Sequence, residues 1–299
     1  MKKAVQAILE RQQPNGSICT PAFGLDSYTT SVSVLALTAL ENPAHEQAIA
    51  KARDFLLSVQ YADDEQNINA GAAGYTKGGR TSGDVTAYWV EALRAAGVKE
   101  GDPAFKNAQK FFSRLQNNPE TNNMPAPGWE VGTDGGFFYR PGESKAEPEK
   151  AASGKPINRS YGLMSYAGLK SFLYMYVEKT DPRVQSAFNW VRNNWTLSEN
   201  RNIGADGLYY YYLTMAKALA AYGEPVITTA DGQQINWAKE LSNKIIALQK
   251  PDGSWYNAES DRWMESDKVL VSAYTIRALT ICHEELRKQQ AASATPAAK

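Results

Sequence analysis

Acid chemistry is the first thing this chain offers. Asp26, Asp84 and Asp267 each stand at the head of a long apolar stretch with helical spacing. Carboxylates gathered in one pocket push each other's pKa upward, and an acid that keeps its proton near neutral pH is a general acid. Aspartate is equally a preferred helix N-cap, and capping accounts for the same three positions. Aromatic residues keep them company: Tyr28 follows Asp26, Tyr88 and Trp89 follow Asp84, Tyr161 follows Arg159, and Tyr209 to Tyr212 follow Asp206. Rings facing a common space would stabilise a carbocation or stack on sugar rings. Core packing with satisfied hydroxyls is the competing account of the same tyrosines. Arg159 is the one strong base at a helix start, a partner for a neighbouring aspartate. The catalytic candidates are therefore Asp84, Asp267 and Asp26. The ligand-binding candidates are Tyr28, Tyr88, Trp89, Arg159, Tyr161 and Tyr209.

These residues share a place in a recurring unit. Gln249-Lys250-Pro251-Asp252-Gly253-Ser254-Trp255 separates two helical patterns. Before it, Trp237, Leu241, Ile245 and Leu248 make one apolar stripe over 236–249. After it, 267–282 is apolar nearly all round, which predicts a helix buried on all sides. Pro251 stops the first helix and Asp252-Gly253 turns the chain. Trp255 is expected to pack beneath its own turn. Weaker copies of the turn stand at Gln12–Ser17, in the glycine-rich loop after Gln60, after Gln116, and at Ala205-Asp206-Gly207. Helix starts at Asp102-Pro103 and Asp181-Pro182, and a stop at Gly97, set further boundaries.

Five outer/inner helical hairpins result, at spacings of roughly 50–60 residues, the range in which internal repeats dictate the fold. The inner helices predict a closed ring over an open solenoid. Closure requires hairpin five to pack on hairpin one, burying Val5 and Leu9 against the 236–249 or 267–282 helices. The longest connection, 117–158, reads as functional, its second half as an exposed excursion and the whole as a lid. Residues 1–286 form one domain, and 287–299 an Ala-rich flexible tail.

Composition narrows the function classes. The 299 residues carry 32 basic and 32 acidic side chains, which disfavours a nucleic-acid binder. No apolar run reaches transmembrane length, and no charged-then-apolar leader opens the chain, so a soluble protein is expected. Location stays open, including an exported parent trimmed of its signal, and so does oligomeric state. Cys19 and Cys282 map to opposite ends of the hairpins, about 20 Å apart at 1.5 Å per helical residue, so no disulfide is expected. His45 and His283 fall at the end away from the aspartates, and neither metal nor cofactor is expected.

The stretch Leu248–Trp255 resembles the glutamine–tryptophan (QW) repeat of squalene/oxidosqualene cyclases and protein prenyltransferase β subunits. Asp134-Gly135-Gly136-Phe137-Phe138-Tyr139-Arg140-Pro141-Gly142 is similar to the glycine-rich turn of bacterial prenyltransferase/squalene-oxidase repeat proteins. The resemblance implies an all-α fold, the α/α toroid, with a central cavity entered beside the inner-helix N-termini. It implies a small apolar or isoprenoid ligand. The family's Asp-X-Asp-Asp acid, its Asp/Cys/His zinc set and the Cys-Gly-Glu-Gln motif of thioester relatives do not occur here. A carbohydrate-active toroid and a non-catalytic scaffold therefore stand beside the isoprenoid reading. Each places its site at the mouth, near Asp26, Asp84, Arg159, Tyr209 and Asp267, with few convergent groups at the far end.

Overall fold

The computed structural model describes residues 2–124 and 128–294. Among them ten α-helices alternate between two layers. Hairpin one is α1 (Lys2–Leu9) and α2 (Asp26–Thr38), and hairpin two is α3 (Glu46–Ser58) and α4 (Gly83–Ala95). Hairpin three is α5 (Pro103–Arg114) and α6 (Gly162–Tyr174), hairpin four α7 (Pro182–Asn193) and α8 (Leu208–Tyr222), and hairpin five α9 (Trp237–Ala247) and α10 (Lys268–Ala294). The outer helices are amphipathic: α5 buries Phe105, Ala108, Phe111 and Phe112 on one face. Asp102 and Asp181 cap α5 and α7 by accepting from the amides of Ala104 and Arg183, with proline in the first turn. The inner helix α6 is buried without interruption from Gly162 to Phe172. Inner helices pack in chain order, α2 on α4, α4 on α6, α6 on α8 and α8 on α10. The architecture is the α/α toroid.

A recurring glutamine ties the outer layer together. The Gln12 amide donates to Gly16 O of its own turn and to Ala48 O in the first turn of α3 (2.8 Å). Gln60 donates to Gly71 O and to Ala104 O in α5, and Gln116 to Gly135 O and to Arg183 O in α7. One side chain thus closes its own turn and fixes the next outer helix in register. Gln249 donates to Gly253 O at 3.0 Å and to nothing else among the described residues. Gly253 has φ +82°, the left-handed region that favours glycine. Trp255 is buried beneath this turn and donates its indole N–H to Ile245 O, as its position in the repeat predicts.

Three expectations change. Hairpin five does not bury Val5 and Leu9; both are half-buried and line a hollow with Leu40, Asn42 and His45 on the side of hairpin two. Helix α10 is not buried all round: Val269 is 81% and Ile276 58% exposed. The helix also runs on to Ala294, so the segment expected to be a flexible tail from 287 is helical to that point. Two small hairpins carried no helical signal and were not anticipated, β1 (Glu149–Lys150) with β2 (Pro156–Ile157) and β3 (Val226–Thr228) with β4 (Gln234–Asn236). Cys19 and Cys282 are free and buried.

Candidate active site

Helix α4 carries the functional stripe, because positions separated by three or four residues share one helical face. Asp84, Tyr88 and Glu91 succeed one another on that face, from the N-terminal end toward the far end. The cap of α4 is Ser82, whose hydroxyl accepts from the Val85 amide. Asp84 is therefore not the N-cap. Its Oδ1 accepts from the Ser82 hydroxyl and from the Val85 amide at 2.8 Å. Among the described residues Oδ2 accepts no hydrogen bond, which makes it the oxygen free to hold a proton. Burial pushes the Asp84 carboxyl above its ordinary range; Ser82, the Val85 amide and Lys145 oppose the shift without cancelling it.

Phenols surround this acid. Burial raises Tyr28, Tyr75, Tyr161 and Tyr210, and in each the charge of Asp84 adds to the effect. They come from α2, the loop before α4, the residue before α6, and α8. Tyr139, from the long connection, meets Tyr75 hydroxyl to hydroxyl at 3.4 Å. Its ring lies under the Lys145 ammonium, 4.0 Å from the centroid, and its backbone oxygen accepts from the Gly83 amide. The long connection thus supplies side chains to the mouth, as a covering loop would. Arg80, Arg140 and Lys145 all converge on Glu143 and hold it in place.

Aromatic rings close the space below. Tyr28 meets Tyr88 edge-on at 5.2 Å, Tyr88 stacks on Tyr210 at 5.9 Å, and Tyr210 tilts against Tyr274 of α10 at 5.7 Å. The Tyr28 hydroxyl interacts with those of Tyr274 and Tyr88, so α2 and α10 meet here across the interior. Beneath this floor Glu91 bonds Lys170 of α6 at 2.6 Å and Lys217 of α8 at 2.7 Å. Burial alone would raise Glu91, but the two ammoniums prevail and hold it down to about 2. Lys217 is lowered by burial. A hollow of about 280 Å³ reaches Glu91 and Lys217 from the far end and is lined by Arg277, Glu284, Glu285 and Lys288. The far end therefore does have convergent groups, contrary to expectation: charged residues inside an apolar-looking inner helix face one another only once the ring is built.

The remaining candidates separate. Asp267 is exposed and accepts from the amides of Val269 and Leu270, the geometry of an N-cap for α10. Asp26 lies in the first turn of α2, and its Oδ1 is enclosed without a partner. Trp89 faces outward; its indole donates to Leu56 O of α3. Arg159 pairs with Glu149 of the excursion at 2.9 Å and not with an aspartate of the mouth. Tyr209 is buried against Tyr212, beside Glu265, while its neighbour Tyr210 takes the position at Asp84. Sequence reasoning missed Tyr75, Ser82, Tyr139 and Lys145, which lie in loops without periodicity. Tyr274 was read only as part of an apolar helix, though its i, i+7 relation to Asp267 placed it two turns inside the mouth. Among the described residues no group of His, Cys, Asp and Glu side chains is arranged to hold a metal ion.

No family model matches this chain, and no curated protein does. Solved structures are similar to it in fold. The apo type II terpene cyclase MstE from Scytonema superposes with a TM-score of 0.58 at 16% identity, covering 94% of this chain and 71% of that one. A variant of MstE in complex with its substrate geranylgeranyl dihydroxybenzoate gives a TM-score of 0.58 at 14% identity, covering 99% of this chain and 79% of that one. At such identities the likeness is one of fold, the α/α toroid.

Proposed function

We propose that this protein binds an isoprenoid chain at the mouth of the toroid and that Asp84 protonates it. The observation that carries the reading is a carboxylic acid with one oxygen free of hydrogen bonds, its pKa raised by burial, within a ring of phenols. The fold it shares with a terpene cyclase bound to a geranylgeranyl substrate supports the ligand class. In the proposed step the proton on Asp84 Oδ2 passes to one carbon of an alkene, leaving a carbocation at the other and a carboxylate on the protein. The π systems of Tyr28 and Tyr210 favour that cation, an attraction of about 2 kcal/mol or more per ring once water is excluded. The cation then closes onto a second double bond and loses a proton to the carboxylate, so atoms and charge balance. Lys170 and Lys217 lie within 5.7 Å of the Tyr88 ring centre and keep positive charge near Asp84, away from the floor. The floor also sets chain length: the substrate occupies the mouth only.

The test is incubation in deuterium oxide with prenylated phenols of increasing chain length, followed by mass spectrometry. One deuterium in an isomerised product, abolished by Asp84→Asn, supports the reading. The filled interior favours a second reading, a non-catalytic toroid that holds an apolar ligand. Retention of the prenylated phenol in native mass spectra with no deuterium incorporation would select it, and neither binding nor turnover would dismiss both.

A further inference from the structure

We propose that Glu265, on the loop of hairpin five, is a positioning residue for the acid pocket: it holds the start of α8 so that Tyr210 stands against Asp84. The proposal rests on the reading of Asp84 as the acid. The first amides of a helix have no partner within it and need acceptors from outside. Around the toroid the loop of the following hairpin supplies one. The Ser27 amide of α2 donates to Tyr75 O at 3.0 Å, the Gly83 amide of α4 to Tyr139 O at 2.8 Å, and the Gly162 amide of α6 to Arg201 O at 2.9 Å. At α6 the Asn200 side chain adds a second acceptor, for the Leu163 amide. At α8 the acceptor differs in kind. The Tyr210 amide donates to Oε1 of Glu265 at 2.8 Å, and among the described residues no backbone carbonyl of that loop accepts from the first turn. Gly207, which precedes α8, has no side chain with which to cap it.

The rim is built to hold this carboxylate. Glu265 is fully buried. Its Oε2 accepts from Asn257 Nδ2 at 2.9 Å, and the same Nδ2 donates to Ala205 O at 2.7 Å, which ties Glu265 to the turn before α8. Arg262 pairs with Asp206 of that turn at 2.8 Å. Trp263 covers Gly207 so closely that a Cβ there would meet its ring at 2.5 Å. A carboxylate suits the place: two donors face it, each oxygen accepts from one, and it carries no hydrogen to set against either. What it fixes is Tyr210. That ring stacks on Tyr88 and tilts against Tyr274, and the charge of Asp84 acts on its hydroxyl. Slack in the first turn of α8 would move this ring first and admit water to Asp84.

Two readouts test this: carbon-13 NMR of aspartate-labelled protein, with Asp84 assigned by its loss in Asp84→Asn, and deuterium incorporation into a prenylated phenol. Glu265→Asp keeps the charge but is one methylene short of the Tyr210 amide. It is expected to move the Asp84 titration down toward the ordinary aspartate value and to lower incorporation about tenfold to a hundredfold, as small misplacements at a reacting centre do. Glu265→Gln keeps the reach to that amide at the cost of the Asn257 bond, and is expected to stay close to wild type in both. Asp102→Ala, which removes the cap of outer helix α5, is expected to lower the melting temperature and leave the Asp84 titration unchanged. A Glu265→Asp variant with an unmoved Asp84 titration overturns the proposal and leaves Glu265 a structural cap. A Glu265→Gln variant more impaired than Glu265→Asp overturns it too, since charge and not reach would then matter. If the wild type incorporates no deuterium, the protonation reading falls, and the Asp84 titration alone decides the role of Glu265.

Discussion

Two carboxylates on one face of α4 meet opposite fates. Asp84 and Glu91 are both largely but not fully buried, and burial pushes both toward the neutral acid. At Asp84 the opposing groups are a hydroxyl, backbone amides and a lysine outside hydrogen-bond contact, and burial prevails. At Glu91 two ammoniums stand at 2.6 and 2.7 Å, and the charge prevails. Position on the helix does not distinguish a poised acid from a structural anion; the partners supplied by neighbouring helices do. Non-glycine residues with positive φ stand at both ends of the toroid, Glu41 and Tyr176 at the far end (49° and 63°) among them. Trp263 and Met264, consecutive residues on the rim of the mouth, have φ of 57° and 64°. Non-glycine residues held there cost about 1–3 kcal/mol each and concentrate at functional sites.

The largest effect is expected at the far end. Glu91→Gln leaves Lys170 and Lys217 buried without an anion, and loss of one member of such a set costs about 3–5 kcal/mol. Urea denaturation should show the midpoint falling with the slope unchanged. The pH dependence has a definite sign. Because the folded pKa of Glu91 is depressed to about 2, its contribution is present above the ordinary glutamate value and lost as pH falls from there toward 2. An acid limb of the stability curve that survives Glu91→Gln unchanged would break the contrast between the two carboxylates.

A smaller effect of opposite sign is expected at the mouth. The folded pKa of Asp84 is raised, so between the ordinary aspartate value and the raised one the native state binds a proton that the unfolded state has lost. Stability therefore declines as pH rises through that window. Asp84→Asn removes the dependence and should raise the melting temperature at neutral pH, at about 2–4 °C per kcal/mol relieved. The same change is expected to abolish the proposed protonation. A group that costs stability and carries activity is a functional acid; a melting temperature that falls would return Asp84 to a structural role.

Much of the architecture was legible because helices announce themselves by period and by punctuation. The outer helix predicted over 236–249 is α9 (Trp237–Ala247), and Asp102-Pro103 and Asp181-Pro182 begin α5 and α7 as capping chemistry requires. The recurring glutamine marked the turns, though not the bond each makes to the next helix. The site was legible only in part. Asp84 and Tyr28 could be placed from helix starts, but Tyr75, Tyr139 and Lys145 reach the acid from loops whose paths no periodicity encodes. The Glu91 triad joins three helices, and sequence carries no sign of which polar residue on one faces which on another.

The smallest effect is the sharpest control on the contrast, because Asp267 shares with Asp84 both residue type and place at an inner-helix start. Its environment differs in every respect that matters. It is exposed, and its Oδ1 accepts from the amides of Val269 and Leu270 at 2.7 and 2.9 Å. Those amides are orphan donors of α10, so the carboxylate satisfies groups that would otherwise face water, and it sits at the positive end of the helix dipole. We infer a structural cap. Asp267→Ala should cost about 1 kcal/mol, the usual worth of a cap, read as a drop in the denaturation midpoint. Asp267→Asn, which still caps, should restore nearly all of it. Both variants should leave deuterium incorporation into a prenylated phenol unchanged while Asp84→Asn abolishes it. If Asp267→Asn lowers incorporation as far as Asp84→Asn does, the acid function is shared around the mouth, and the assignment to Asp84 alone fails.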